Sequence, residues 1–560
     1  MVTRFGLGGQ PAALASASGG VWTAVDAAGA THLGGTLTSI SYYTAVDWID
    51  PAASNSPNVP PPQLLGLTND GLVTLNHVAG PAGNRLVPDL ALALPLPSDG
   101  GRTYTFHLRP GIQYSTGAFV KPSDVTHSFE RLFELGSSGT SYYQAITGAI
   151  RCQAAPQSCD LSQGIVADNR TGTVTFHLTR PDPDFLYKLT LTYADVLPGS
   201  APTHQAETPL PATGPYKINR YLPGQEVLLT RNPHFREWSA AAQPAGYPDR
   251  IVIRLGLTAA QSSAAVADGK ADFMPNLGQI PANAAAYFLH HRSQLRINPQ
   301  MATAFMFLNI NAPPFNQLRV RRAVNLALDR GQIVKAYGGP LAAQPTCQIL
   351  PPQLPGYRRY CPYTHGPGAD GRWNGPDLAR ARKLVAASGT TGMKVTVWNL
   401  PEPQVAVAET QDTVAALRKL GYRASLRLLP DDTYFTYTND SRNHAQVIDA
   451  GWGADYPSAN DFFGKLTCGY FAPGNGPATT DGSEFCDPAF DRQVARAAAL
   501  QATDPLATAT LWARLDRQVT ALAIWLPTVT PNEADLISPH VGGYQYNPVW
   551  GALIDQLWIR

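Results

Sequence analysis

Residues 451–461 read GWGADYPSAND, which sets a tryptophan, an aspartate and a tyrosine within five residues between glycines and a proline. Apolar runs flank the stretch, with QVIDAGW leading into it and DFFGKL leading out. Asp455 therefore falls near a strand end with aromatic walls, where an ionised carboxylate needs a partner because an unpaired buried charge is costly. That partner is a ligand's cation or an internal arginine, or else the carboxylate caps a local turn. No other constellation suggests catalysis: there is no GxSxG elbow, no HExxH, no GxxxxGK loop and no GxGxxG after a strand. His290 and His291 are adjacent, so on a helix they diverge and chelate poorly. Asp431 and Asp432 sit beside a proline and read as caps. We expect no enzyme, no metal and no cofactor.

The elements around this stretch are mixed α and β. The alternating YTFHL (104–108) and TVTFHLT (173–179) read as half-buried strands, and EVLLTRN (226–232) with RIVIRLG (250–256) as strands of another sheet. Residues 121–135 read as a helix, with Pro122 in its first turn, Ser123 or Asp124 as cap, and Val125, Phe129, Leu132 and Phe133 on one face. Residues 317–338 read as one helix, with Val320, Val324, Ala327 and Leu328 inward and arginines outward; Arg319, Arg321 and Arg322 form a solvated face. Helix–glycine–strand grammar recurs in 378–428, and predicts an α/β lobe with a partly parallel sheet over 390–450. A helical tail follows residue 506, then the strand-like LPTVTP.

A chain of 560 residues exceeds one ordinary domain, and 44% hydrophobic with 15% charged residues fits a folded protein. A formal net charge of +1 without a basic block argues against nucleic acid. No apolar run reaches the length that spans a membrane, and the first 20 residues lack the apolar core of a secretory signal. The six cysteines fall into three local pairs, Cys152–Cys159, Cys347–Cys361 and Cys468–Cys486. None has zinc-site spacing, and near-neighbour disulfides are the simplest pairing, with buried free thiols as the alternative. Disulfides imply an oxidising, extracytoplasmic compartment. The missing signal then suggests a piece of a longer precursor. Residues 1–32 read either as an N-terminal arm or as a remnant of a β-propeller-like repeat.

Five blocks in order resemble the dipeptide/oligopeptide-binding family (family 5) of extracytoplasmic solute-binding proteins of ABC importers, from about Gly34 onward. They are LVPDLALALPLPSDGGRTYTFHLRPGIQYSTGAFVKPSDVTHSFERL, ATGPYKINRYLPGQEVLLTRNPHF, DGKADF, FMFLNINAPPFNQLRVRRAVNLALDR and GWGADYPSANDFF. The resemblance implies an α/β fold of the two-lobed periplasmic-binding-protein type (class II, large cluster C) with a hinge and an inserted domain. Mapped here, the first lobe is 33–72 with 205–303 and 520–560, the inserted domain 73–204, and the second lobe 304–519.

It further implies that Asp455 pairs with the ligand's α-amino group, with Trp452, Gly453 and Tyr456 beside it. Tyr42, Tyr43 and Trp398 border the cleft, although core packing accounts equally well for the two tyrosines and better for Trp398. Peptide-binding members use an arginine for the ligand carboxylate, in the stretch matching NLPEPQ or just before the Gly-Trp. This sequence has Gln404 and Asp449 there, so the site is acidic, or another arginine serves. The partners implied are a small peptide or peptide-like ligand and the permease subunits of an importer, with a monomeric binding protein anchored to the membrane only through a segment outside this sequence. Two other readings stand beside that one: a ligand-sensing ectodomain of a larger regulatory protein, and a binder of a non-peptide, cationic or glycan-like solute. An extracellular hydrolase is a further alternative, which turnover of a bound peptide would support.

Overall fold

The alternating segments pair as strands in the computed structural model, which describes residues 11–17, 20–25, 32–41, 49–53, 64–275, 287–471, 481–501 and 505–560. One twelve-stranded sheet organises most of the chain. Its strands run in the order Arg423–Leu428, Lys394–Asn399, Val447–Gly453, Ala302–Leu308, Trp525–Ile537, Phe273–Met274, Thr36–Ile40, Arg250–Arg254, Glu226–Arg231 and Tyr216–Leu222. Leu295–Pro299 and Ala343–Pro345 pair with Trp525–Ile537 off this path. Lys394–Asn399 is parallel to both of its neighbours, as the alternation of helix and strand there predicts.

Trp525–Ile537 joins the two halves of the sheet. Its first residues pair with Ala302–Leu308, and its last pair with Phe273–Met274 and Leu295–Pro299. All but one of its thirteen residues are buried, because pairing on both edges and packing on both faces leave no solvent side. LPTVTP is thus only the beginning of a longer strand. Helices Leu318–Ala327 and Gln404–Lys419 cover one half over a core that includes Val324, Val397 and Leu417. The other half has its own core around Leu37, Leu229 and Ile251.

A third core belongs to the stretch that includes Thr103–His107, Ile165–Asp168 and Thr173–His177, which form a three-stranded antiparallel sheet. Helix Pro122–Glu134 packs on it with Val125, Phe129, Leu132 and Phe133 all buried. The helix is capped differently from expectation. Lys121 holds the cap position, and Asp124 reaches back to accept its N–H at 2.9 Å. Arg131, on the same helix, is fully buried against Asp50, with Nη1–Oδ1 at 2.8 Å and Nη2–Oδ2 at 2.5 Å. The pair is fully hydrogen-bonded: Arg131 also donates to the carbonyls of Pro202 and His204, and Asp50 accepts from the amides of Ala52 and Ala206. One ion pair thereby fastens the chain entering this body to the chain leaving it.

Residues 317–338 form two helices, Leu318–Ala327 and Arg330–Ala336, not one. Asp329 breaks the run by accepting from the amides of Gly331 and Gln332, a capping role that competes with helix continuation. The outward placement of arginines holds for Arg319 and Arg322 but not for Arg321 or Arg330. Arg321 donates to the Phe315 and Leu522 carbonyls, and Arg330 to those of Thr346, Pro527 and Asn325. Carbonyl oxygens replace the water that a buried guanidinium loses. All three expected disulfides are present. Residues 11–17 and 20–25 pair as an antiparallel hairpin; the other residues of 1–31, and Tyr42 and Tyr43, lie outside the described residues.

Candidate functional site

Val447–Gly453 is a central strand, and its last pair is Ala302 with Gly453. Beyond it the chain turns, with the Ala454 amide donating to the Met301 carbonyl at 2.8 Å, and Asp455 follows at 7% exposure. A second carboxylate organises this turn. Asp461, at the start of the short helix Asn460–Phe463, accepts from Trp452 Nε1 and from the Asp455 amide, both on Oδ2 at 2.9 Å. Lys465 lies 3.6 Å above the Trp452 ring, a cation–π contact that also brings its charge toward Asp461. Burial, then the neighbouring Asp455 charge, pushes the Asp461 carboxyl up to about 7. Tyr142, from the body built on the three-stranded sheet, hydrogen-bonds Asp455 across the gap.

The same gap is bridged a second time. Asp184, 2% exposed, accepts from Ser458 Oγ and Gln501 Nε2 at 2.9 Å on Oδ1. On Oδ2 it accepts from Asn460 Nδ2 at 2.6 Å and Tyr456 OH at 3.4 Å. Tyr456 also stacks on Tyr187. Four neutral donors from residues 456–501 thus converge on this one carboxylate, and its burial raises the Asp184 pKa. Charge-assisted bonds are the stronger kind. Asp184→Ala would leave several buried donors without an acceptor and is expected to weaken this contact by about 2–4 kcal/mol. A larger radius of gyration in small-angle scattering checks it; an unchanged radius would mean that the contact is held by apolar packing alone.

Asp455 lines a cavity of about 40 Å³ together with Asp70, Asp89, Asp195 and Gln243, among others. Among the described residues, none of the others singled out in the sequence lines it. Trp452 and Gly453 are half-buried and Tyr456 is packed in the core of the three-stranded body. Trp398 is 6% exposed in a small core with Tyr434 and Ile448, and Arg427 stacks on its ring. Gln404 is exposed at a helix start and donates to Glu402. Asp449 is half-buried, its carboxyl raised by desolvation and then by the Glu409 charge, while its backbone carbonyl accepts from Tyr434. Sequence reasoning did not single out Asp461, Tyr142 or Asp184. Asp461 carried a local signal, a second carboxylate six residues past the first at a helix start. The other two come from distant segments and carried none.

The model of the bacterial extracellular solute-binding proteins, family 5, matches residues 85–471. A probable di/tripeptide-binding protein 5 of Pseudomonas aeruginosa is 25% identical over 512 residues, covering 86% of this chain and 90% of that protein. The periplasmic oligopeptide-binding protein OppA of Salmonella typhimurium is 26% identical, covering 79% of each. Among solved structures, the clavulanic acid biosynthesis oligopeptide binding protein 2 superposes with a TM-score of 0.79 at 26% identity, over 94% of this chain and 96% of that one. Its motif blocks, its two-halved sheet and this match over most of its length place the chain in the family 5 bacterial extracellular solute-binding proteins.

Proposed function

We propose that this protein captures a small peptide, or a peptide-like molecule with a free amino group, in the extracytoplasmic space and hands it to the permease subunits of an ABC importer. The observation that carries the reading is Asp455, a buried carboxylate at a strand end that lines a cavity between bodies. Relatives named for di/tripeptide and oligopeptide binding support it. The lobes are assigned as 33–72 with 205–303 and 520–560, and 304–519, with 73–204 inserted, and the ligand is enclosed between them. Three disulfides accord with an oxidising compartment. The permease contact is made by a monomer, and no helix among the described residues is long and apolar enough to cross a membrane. Asp455 acts as the amine anchor, with Trp452, Gly453 and Tyr456 shaping the turn that presents it.

Native mass spectrometry with a tri- to pentapeptide library tests the reading. Peptides with free amino termini are expected to be retained, and their N-acetylated counterparts lost. Equal retention of both, or of neither, would overturn it.

A pH dependence follows from Asp461. Its raised pKa means that the empty site holds a proton there below about pH 7. An ammonium at Asp455 offsets the charge that favours this proton and expels it. Binding is therefore strongest above pH 7 and weakens as pH falls through 7, by up to about tenfold per unit for one linked proton. Calorimetry in two buffers of different ionisation enthalpy would show the released proton.

A further inference from the structure

Beside Asp455 the cavity carries an acidic wall that capture of an α-amine does not use. Asp70 and Asp89 are each 2% exposed and lie against each other. Asp70 accepts from Thr213 Oγ1 at 2.6 Å and Gln243 Nε2 at 2.7 Å, and Asp89 from Trp238 Nε1 at 2.9 Å. Asp195 completes the wall, and its buried Oδ2 has no hydrogen-bond partner. No lysine, arginine or histidine is among the described residues lining the cavity. Arg109 is a cation close enough to favour ionised Asp89, but it spends its Nε on the Asp89 backbone carbonyl.

A second observation is independent of this clustering. Gln243 is 3% exposed and lines the same space, and its Oε1 has no partner. The amide cannot be turned round, because its Nε2 already serves two acceptors, the Gly66 carbonyl and Asp70 Oδ1. Thr192 Oγ1, also lining the space, is likewise buried without a partner. Buried acceptors left open cost free energy unless something fills them, and three acceptors in one acidic wall call for a group rich in donors. Burial raises all three carboxyls, Asp70 to about 6, and the Asp70 charge raises Asp89 and Asp195 further, so a cation entering the cavity would favour their ionised forms.

We propose that this wall is a subsite for a cationic side chain, an ammonium or guanidinium carried by the same ligand residue whose α-amine meets Asp455. The proposal rests on the peptide-capture reading and narrows it to ligands that begin with a basic residue. A free volume of about 40 Å³ matches the end of a side chain, not a whole solute. The donors of the cation satisfy Asp195 Oδ2, Gln243 Oε1 and Thr192 Oγ1, while its charge offsets the crowded carboxylates.

Titration calorimetry with Lys-Ala-Ala, norleucine-Ala-Ala and 1,5-diaminopentane on the wild type and on Asp195→Asn tests it. The lysine peptide is expected to bind about 10–100-fold more tightly than its norleucine twin. Asp195→Asn is expected to cut that preference to under about threefold, with the norleucine peptide unaffected. If Asp195→Asn fails to fold, Thr192→Val removes another acceptor and reads the same preference. Equal binding of the two peptides overturns the subsite and leaves peptide capture standing. Preference that survives both substitutions also overturns it. Binding of the diamine but of neither peptide supports a cation site and overturns peptide capture. Binding of none of the three overturns both.

Discussion

Asp455→Ala is expected to weaken binding of an amine-bearing ligand by at least about 30-fold, since truncating one partner of a buried charge pair costs about 2–5 kcal/mol. Asp455→Asn separates charge from shape: it keeps an acceptor for Tyr142 but cannot neutralise an ammonium, so its loss is expected to be nearly as large. Tyr142→Phe removes the hydrogen bond and leaves the carboxylate, and a change within about tenfold is expected. The fold should tolerate Asp455→Asn, because the Asp455 charge opposes ionisation of buried Asp461, and removing it relieves repulsion. By the same logic Asp461 then titrates lower, and the pH dependence moves below 7 in the variant. Affinities by calorimetry, with melting midpoints as the fold control, decide the matter. An Asp455→Ala protein that binds as the wild type does would remove the amine anchor from the mechanism.

Asp50→Ala is expected to be the most destabilising single change. Arg131 would remain buried with its charge unpaired, and breaking a buried ion pair on one side costs about 3–5 kcal/mol. That is a large share of the stability of an ordinary domain. Joint replacement by Asp50→Leu with Arg131→Met removes both charges and is expected to recover much of the loss, since well-packed apolar groups often replace such pairs without penalty. Urea unfolding followed by fluorescence would show it. If the double variant is no more stable than the single, the backbone carbonyls and amides held by the pair matter more than its charges do.

Periodicity made much of this fold legible. Val125, Phe129, Leu132 and Phe133 recur at helical spacing, and the helix they define is buried on that face. The helix–glycine–strand grammar of 378–428 likewise marks the parallel strands. What spacing cannot show is a partner far along the chain. Arg131 lies on an otherwise ordinary helix, and nothing near it announces Asp50, 81 residues away. Arg321 and Arg330 read as surface charges because the carbonyls that receive them come from remote turns and strands. The site divides in the same way. Asp455 stood out because its aromatic and glycine neighbours are local, whereas Asp70, Asp89 and Asp195 meet only through folding. The break at Asp329 is a local event that apolar spacing overrode: the pattern runs on, but a capping carboxylate ended the helix.

The strand Trp525–Ile537 has a consequence for assembly. It is made after more than five hundred residues have left the ribosome, yet it pairs on both edges with strands from the two halves of the sheet. Until it docks, Ala302–Leu308 and Phe273–Met274 each present an open edge, the template that invites aggregation. Neither half can finish first and wait, and non-local pairing of this kind slows folding. The nascent chain is thus kept from setting early. Once the strand is in place, the halves share one continuous backbone ladder.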